Sequence, residues 1–433
     1  MNAVLNDGFL GVLSSLAGQD ALPRVLEAFG QAPSVSVRTN PFKCRPGQLP
    51  LPGDASAALP VPWSEYGYIL ESRPSFTLDP LFHAGAYYVQ DSSAMSVGRM
   101  AREFISLKNR PLRVLDLCAA PGGKTTDLAA LLRKACGDSF ILVANEVMKN
   151  RASVLADNAG RWGDPCVAVT SADPAAFARL EGFFDIVVAD VPCSGEGMFR
   201  KDPGAVAEWS TANVARCAKL QREIVADAWH CLRPGGIMIY STCTFNAYED
   251  EENAAWIASE LGADFVEVDT SCGWGITGAL KGAIPAYRFI PGVSRSEGLF
   301  VAVLRKHGNG KASATGELSR LGGKALNVVY DGVRKPILKG KQAVPDHSEA
   351  MSHGLQREKY PQAELTYRQA IDYLRRESLQ LPDGTPLGIV LVTYRNVPLG
   401  FVKNLGNRAN NLYPQEWRIK STHIPDAENI LTL

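Results

Sequence analysis

The nine cysteines of this 433-residue chain include no pair at C-x-x-C spacing and no cluster with histidine. That argues against a zinc site and against a disulfide scaffold, and reduced thiols in a cytoplasmic protein are the expectation. Met1 to Asp7 has no basic stretch followed by an apolar run, so no signal peptide is read there. No uninterrupted apolar stretch approaches the length of a membrane span. Net charge is missing too, because 45 Lys and Arg balance 45 Asp and Glu. The balance hides an asymmetry. From Met1 to Arg305 there are 27 basic against 33 acidic residues, a balance of −6; from Lys306 onward there are 18 against 12, a balance of +6. A basic C-terminal part points toward a polyanionic partner.

The length allows two or three domains, and no internal repeat or low-complexity tract is present. Phe9 to Phe29 carries a helical apolar pattern ended by Gly30, and Val35 to Pro41 alternates as a strand. The Pro-rich segment Leu49 to Pro62 reads as loop, and β-like runs follow at Tyr68 to Leu70 and Tyr87 to Gln90. Residues 1–110 are therefore expected to form a small α+β module. From Leu112 the pattern alternates. Strands are expected at Arg113 to Leu117, Phe140 to Ala144, Cys166 to Thr170, Asp185 to Ala189 and Gly236 to Tyr240, with Phe265 to Val268 and Leu299 to Leu304 finishing the sheet. Helices are expected at Thr125 to Lys134, Asn150 to Asn158, Val214 to Cys231 and Glu249 to Leu261. Strands separated by helical crossovers imply an α/β, mainly parallel, doubly wound sheet over residues 111–306. Residues 307–317 read as a linker. Residues 318–433 are expected to be a separate mixed domain, with β-like runs at Ala325 to Tyr330 and Leu387 to Thr393 around a helix near Thr366 to Arg376.

The loop after the first strand of that sheet runs Cys118-Ala119-Ala120-Pro121-Gly122-Gly123-Lys124. Two ligand classes fit it poorly. A dinucleotide loop needs G-x-G-x-x-G, and a P-loop needs glycine where Cys118 stands. S-adenosylmethionine remains, since its amino acid and adenosine need close backbone approach over small residues. Glu146, ending the second strand, is placed for ribose hydroxyls, and Asp173, past the third, for the adenine edge. Each acid alone reads equally well as a helix cap or turn.

Two further cysteines follow apolar strands: Cys193 in Asp190-Val191-Pro192-Cys193-Ser194-Gly195-Glu196-Gly197-Met198-Phe199-Arg200-Lys201, and Cys243 in Ser241-Thr242-Cys243-Thr244-Phe245. Parallel strands would deliver both thiols to one crevice at their carboxyl ends. A thiolate adds to C6 of a pyrimidine, which makes C5 nucleophilic toward a methyl donor; the C5 proton must then leave so that the thiol is eliminated. Such a site needs a thiolate, an acid near N3 and N4, and assistance to elimination, roles open to Cys243, Asp190 and Cys193. Cys136, Cys166, Cys217 and Cys231 read as packing residues.

These two motifs and the Leu115 to Thr125 stretch resemble the RNA (cytosine-5) methyltransferases of the Nol/Nop/Sun family. The resemblance implies Cys243 as nucleophile and Cys193 as the thiol that assists release. It implies S-adenosylmethionine as cofactor, with Cys118 to Lys124, Glu146, Arg151, Asp173 and Asp190 around it. Arg38 to Lys43 and Gly85 to Asp91 look like the family's N-terminal RNA-contacting region. Pro398 to Lys403 and Asn411 to Pro414 are similar to the PUA-related C-terminal domain of the bacterial RsmF-type subgroup, which acts on small-subunit ribosomal RNA. Arg38, Lys43, Lys201 and Lys403 are thereby expected to contact RNA. A monomer acting on ribosomal RNA or the small subunit, with no metal and no membrane, is the resulting expectation; a transfer-RNA methyltransferase and an assembly factor with a dormant site are the alternatives. Val191 departs from the family's usual alanine. Ile290-Pro291-Gly292-Val293 stands where the subgroup often has a Pro-His pair.

Overall fold

The computed structural model describes residues 5, 7–44, 58–105, 110–270, 275–310, 326–339, 342–421, 424, 428 and 431. Much of the Pro-rich segment and all but the first residues of the expected linker lie outside these.

The first strands pack as an antiparallel sheet. β1 (Val35–Thr39), β2 (Ala58–Pro60), β3 (Gly67–Leu70) and β4 (Tyr87–Val89) run in the order β2-β3-β1-β4. β2 falls inside the segment expected to be loop: its Ala58, Leu59 and Pro60 pair with Leu70, Ile69 and Tyr68, a partner that local composition does not reveal. Ahead of this sheet, α1 (Asp7–Gly30) is two helical runs joined at Gly18, whose φ of 65° interrupts the helix.

The central sheet has nine strands. Its members are β5 (Leu112–Asp116), β6 (Phe140–Asn145), β7 (Val167–Thr170), β8 (Phe184–Asp190), β9 (Leu232–Thr242), β10 (Ala263–Phe265), β11 (Ala286–Phe289), β12 (Leu299–Lys306) and β13 (Val328–Asp331). Their order is β10-β12-β9-β8-β5-β6-β7-β13, with β11 also paired to β12. The five strands from β7 to β9 are mutually parallel. β10, β11, β12 and β13 are antiparallel to their partners. The sheet is thus mixed, with antiparallel edges on a parallel centre.

Period-two alternation sorts the central side chains onto two faces. Val114, Ile186, Val188, Ile237 and Ile239 join one apolar cluster with Leu128 and Leu132 of the helix Gly123–Cys136 and Leu155 of the helix Lys149–Trp162. Leu115, Val187, Ala189, Met238 and Tyr240 join the other with Val225 and Ala228 of the long helix Thr211–Trp229 and Ile257 of the helix Glu251–Leu261. Both faces are covered, as crossover helices require.

β13 corrects one expectation. This run was assigned to the C-terminal domain, yet Val328, Tyr330 and Asp331 pair with Thr170, Val169 and Ala168 of β7. A free sheet edge offers unpaired backbone groups to any strand that reaches it, and the chain uses this segment to close it. Beyond it, Ile337–Lys339 and Gln342–Val344 pair with each other, and Gln362–Glu364, Gly388–Tyr394, Val397–Asn404 and Ala409–Asn411 form a separate four-stranded sheet. The helix Tyr367–Leu374, started by a capping box at Thr366 and Gln369, packs on it. Its apolar core is continuous with Val37, Leu81 and Tyr87 of the N-terminal module.

Candidate active site

β5 is flanked by β6 on one side and β8 on the other, both parallel to it. The chain runs outward through β6 and β7, then returns to add β8, so the strand order reverses between β5 and β8. Ligands bind at the carboxyl ends of such a reversal. The loops leaving β5, β6, β7, β8 and β9 carry Cys118 to Lys124, Glu146, Asp173, Asp190 with Cys193, and Cys243 respectively. The sheet therefore brings these expected cofactor and thiol residues to one edge, and Arg151 stands on the helix that follows β6.

The β5 loop turns at Gly122, whose φ of 114° favours glycine. A Cβ there would stand 3.1 Å from Leu155 Cδ1. Asn145, the residue before Glu146, fixes the loop's floor. Its Nδ2 donates to the Leu117 and Ala172 carbonyls at 3.2 and 3.0 Å, and its Oδ1 accepts from Thr170 Oγ1 and the Ala172 N–H at 2.8 and 3.0 Å. One amide thus joins the ends of β5, β6 and β7. Asp116, 0% exposed, accepts from Thr125 Oγ1 at 2.6 Å through Oδ2, while its Oδ1 has no hydrogen-bond partner among the described residues. Burial pushes its pKa up to about 7.

Glu146 is buried, with Oε1 accepting the Met148 N–H at 3.0 Å and Oε2 3.2 Å from Arg151 Nη1. Arg151 also donates to the Ala120 carbonyl at 2.9 Å, tying the two cofactor-side loops together. Asp173 is exposed and caps the turn Pro174–Leu180 through the Ala175 N–H at 3.0 Å.

Asp190 stands between a hydroxyl and an ammonium. Its Oδ1 accepts from Ser241 Oγ at 2.8 Å, and its Oδ2 lies 2.7 Å from Lys124 Nζ. Burial is the largest single influence on Lys124 and pulls its pKa down, but the charge and hydrogen bond of Asp190, with Asp116 and Cys243 behind them, together outweigh it and the net shift is upward. The Cys193 and Cys243 sulfurs are 3.1 Å apart. Contact with Cys243, then burial, then the Glu249 charge push the Cys193 thiol well above its ordinary pKa. Cys136, Cys217 and Cys231 are buried as packing residues, and Cys166 is half-buried beside Arg133. All eight cysteines among the described residues are free.

Two expected RNA contacts are corrected. Arg38 is 0% exposed; its guanidinium donates to Gln90 and Thr126, lies 3.4 Å from Asp127 and stacks over Trp162. Lys43 donates to the Ala84 and Arg161 carbonyls at 2.8 and 2.5 Å, and burial lowers its pKa to about 7. Both tie the N-terminal module to the catalytic domain; Arg38 is sealed from any phosphate, and the half-buried Lys43 ammonium is held by two backbone carbonyls. Lys201 is one-third exposed and 3.7 Å from Asp91, and Lys403 lies on the strand Val397–Asn404, half-buried. Arg288, absent from the sequence reading, holds the Cys243 loop from below. It is 1% exposed and contacts Asp250 at 2.8 Å, Glu251 at 2.6 Å and the Phe245 carbonyl at 3.0 Å; Asp250 in turn accepts from Thr242 and Thr244 at 2.5 and 2.9 Å.

Three sequence profiles match the chain in order: the N-terminal domain of 16S rRNA methyltransferase RsmF at residues 5–92, 16S rRNA methyltransferase RsmB/F at 105–305, and the methyltransferase RsmF PUA domain at 360–419. A ribosomal RNA small subunit methyltransferase F of Serratia proteamaculans is 40% identical over 57% of this chain and 51% of its own length, so the chain spans about half of that relative. The Salmonella heidelberg protein of the same name is 31% identical over 82% of this chain and 84% of its own length. Among solved structures, a methyltransferase homolog protein from Pyrococcus horikoshii is similar with a TM-score of 0.57 at 25% identity, covering 70% of this chain and 96% of that one. NSun6 from Pyrococcus horikoshii, solved with SFG, shares the fold with a TM-score of 0.59 at 19% identity, covering 71% of this chain and 100% of that one. With all three profiles in order and a full-length relative matched across four-fifths of its residues, this chain belongs to the RsmF family of 16S rRNA methyltransferases.

Proposed function

We propose that the protein methylates C5 of a cytidine in 16S ribosomal RNA, in the cytoplasm, through a covalent adduct at C6. The observation that carries this reading is the pair of sulfurs 3.1 Å apart beside Asp190, at the sheet's strand-order reversal. A methyltransferase acting on an exocyclic nitrogen or a ribose oxygen has no use for two thiols. The basic C-terminal part and the PUA match support an RNA partner. The whole small subunit or its RNA would present the cytidine unstacked.

S-adenosylmethionine, when bound, supplies the electrophilic methyl group. The chain's residues suit it. The Cys118 to Gly123 loop offers small side chains and an open backbone. Glu146 would hold the ribose hydroxyls, and the unpartnered Asp116 Oδ1 offers a buried acceptor to the cofactor's cationic end. Asp173 would border the adenine, its cap bond occupying one carboxylate oxygen.

On the RNA side, Cys243 attacks C6 and Asp190, oriented by Lys124 and Ser241, hydrogen-bonds the base at N3 and N4. After C5 gains its methyl group, the C5 proton passes to water, the C5–H electron pair re-forms the C5–C6 double bond, and the bond between Cys243 sulfur and C6 breaks with its electron pair returning to sulfur. Cys193 assists this second half.

Transfer of tritium from labelled S-adenosylmethionine to ribosomal RNA in small subunits tests the reading; no label in the RNA, with subunit binding verified, would overturn it. A pH effect is also expected. With Asp116 near 7 in the free protein, a cation bound beside it favours the carboxylate, so binding below pH 7 releases a proton. Calorimetry of S-adenosylmethionine binding at pH 6.5, in two buffers of different ionisation enthalpy, should detect that release and a weaker affinity than at pH 8. Asp116→Asn should remove both effects.

A further inference from the structure

Two buried carboxylates are crossed beneath the thiols. Glu196 belongs to the loop that carries Cys193, and Glu249 follows the loop that carries Cys243; both are 0% exposed. Each serves the other's loop. Glu196 Oε2 accepts the N–H groups of Phe245 and Asn246 at 2.6 and 3.1 Å, just past Cys243. Glu249 Oε2 accepts the Ser194 N–H at 2.9 Å, just past Cys193. Asn246 Nδ2 joins the two acids, donating to Glu196 Oε1 at 3.0 Å and Glu249 Oε1 at 2.9 Å. Gln221 Nε2 donates to Glu249 Oε2 at 2.7 Å and to the Pro192 carbonyl at 3.0 Å. Both peptide groups that flank Cys193 are thereby held. The Gly197 N–H donates to the Cys243 carbonyl at 2.8 Å, a direct tie between the loops.

Neither acid has a cation within ion-pair distance among the described residues. Burying carboxylates on hydrogen bonds alone is unfavourable for folding, and departures of this kind concentrate at working sites. Their bonds fall on the two stretches of backbone that aim the sulfurs.

We propose that Glu196 and Glu249 are positioning residues, a crossed clasp that keeps the Cys193 and Cys243 thiols in register so that release follows attack. Glu249 governs the release side and Glu196 the attack side. The inference rests on the methyltransferase reading for its chemistry and on the hydrogen bonds for its geometry.

The full-length variants Glu249→Gln and Glu196→Gln test it, because an amide turns one acceptor into a donor facing Asn246 or Gln221. Glu249→Gln should still form the Cys243–RNA adduct but release it about 100-fold more slowly, so a protein–RNA complex that survives denaturing gels accumulates. Glu196→Gln should slow adduct formation by about 100-fold and accumulate none. Urea midpoints measured on the same preparations report folding. Gln221→Met, which keeps both acids, should give a weaker form of the Glu249→Gln result. An RNA-free readout is closure of the Cys193–Cys243 disulfide by diamide, which takes up the two thiol hydrogens and is reduced to the hydrazine. Closure should be several-fold slower in both Gln variants. Wild-type closure rates in folded variants, or the same adduct behaviour in both, overturn the clasp. Slower closure together with no methyl transfer by the wild type would uphold the clasp and overturn the methyltransferase reading instead.

Discussion

Cys243→Ala should lower methyl transfer by at least about 10,000-fold, because the attacking atom is gone and no neighbouring group replaces it. It should form no covalent complex with RNA. Cys193→Ala should behave differently: the first half-reaction persists, and the enzyme accumulates as a protein–RNA adduct once release is impaired. The sulfurs are 3.1 Å apart, so position alone does not separate their roles. Their surroundings do. Cys193 feels the charge of the Glu249 carboxylate, and its flanking peptides are pinned. Cys243 lies at the end of β9, within the electrostatic reach of the Lys124 ammonium. Denaturing gels of each variant with small subunits distinguish the outcomes, and exchanged phenotypes would reverse the assignment.

Arg288→Met should destabilise the fold by about 3–5 kcal/mol, the range for breaking one side of a buried ion pair. Methionine fills much of the arginine volume, so the loss reports the charge and not a cavity. Arg288 is the cation that faces both Asp250 and Glu251, and removing it leaves two buried carboxylates uncompensated. The deficit should shrink as pH falls. Burial already holds the Asp250 pKa well above its ordinary value, and without Arg288 it rises further, so protonation neutralises the group at milder acidity. Urea unfolding at pH 7.5 and pH 5.5 measures both effects. A loss below about 1 kcal/mol, within the range of exposed ion pairs, would contradict the structural role given to this cluster. The loop from Thr242 to Phe245 hangs from the same cluster, so activity should fall in parallel.

The parallel centre of the sheet was legible in the sequence because its strands are buried on both faces and read as continuous apolar runs. The motif cysteines, Glu146 and Asp190 were legible because each follows directly on such a strand. What escaped was whatever depends on a distant partner. β2 hides in a Pro-rich stretch because its pairing with β3 is set by the sheet. β13 reads as a local strand, but only the exposed edge of β7 says where it goes. Arg38 and Lys43 look like surface cations in a polar segment; their partners Gln90, Thr126 and the Arg161 carbonyl lie 52, 88 and 118 residues away. Arg288 has no local signal at all, since the acids it neutralises precede it by 38 and 37 residues. Glu196 stood within a quoted motif, but its work on Phe245 and Asn246 is visible only once two loops meet.

The most direct test of the proposed chemistry is nucleoside mass spectrometry of 16S ribosomal RNA from small subunits incubated with the protein and S-adenosylmethionine carrying a trideuterated methyl group. The proposed chemistry predicts labelled 5-methylcytidine that appears with the wild type and is absent with Cys243→Ala. Label on any other nucleoside, or labelled 5-methylcytidine made equally well by Cys243→Ala, would contradict it.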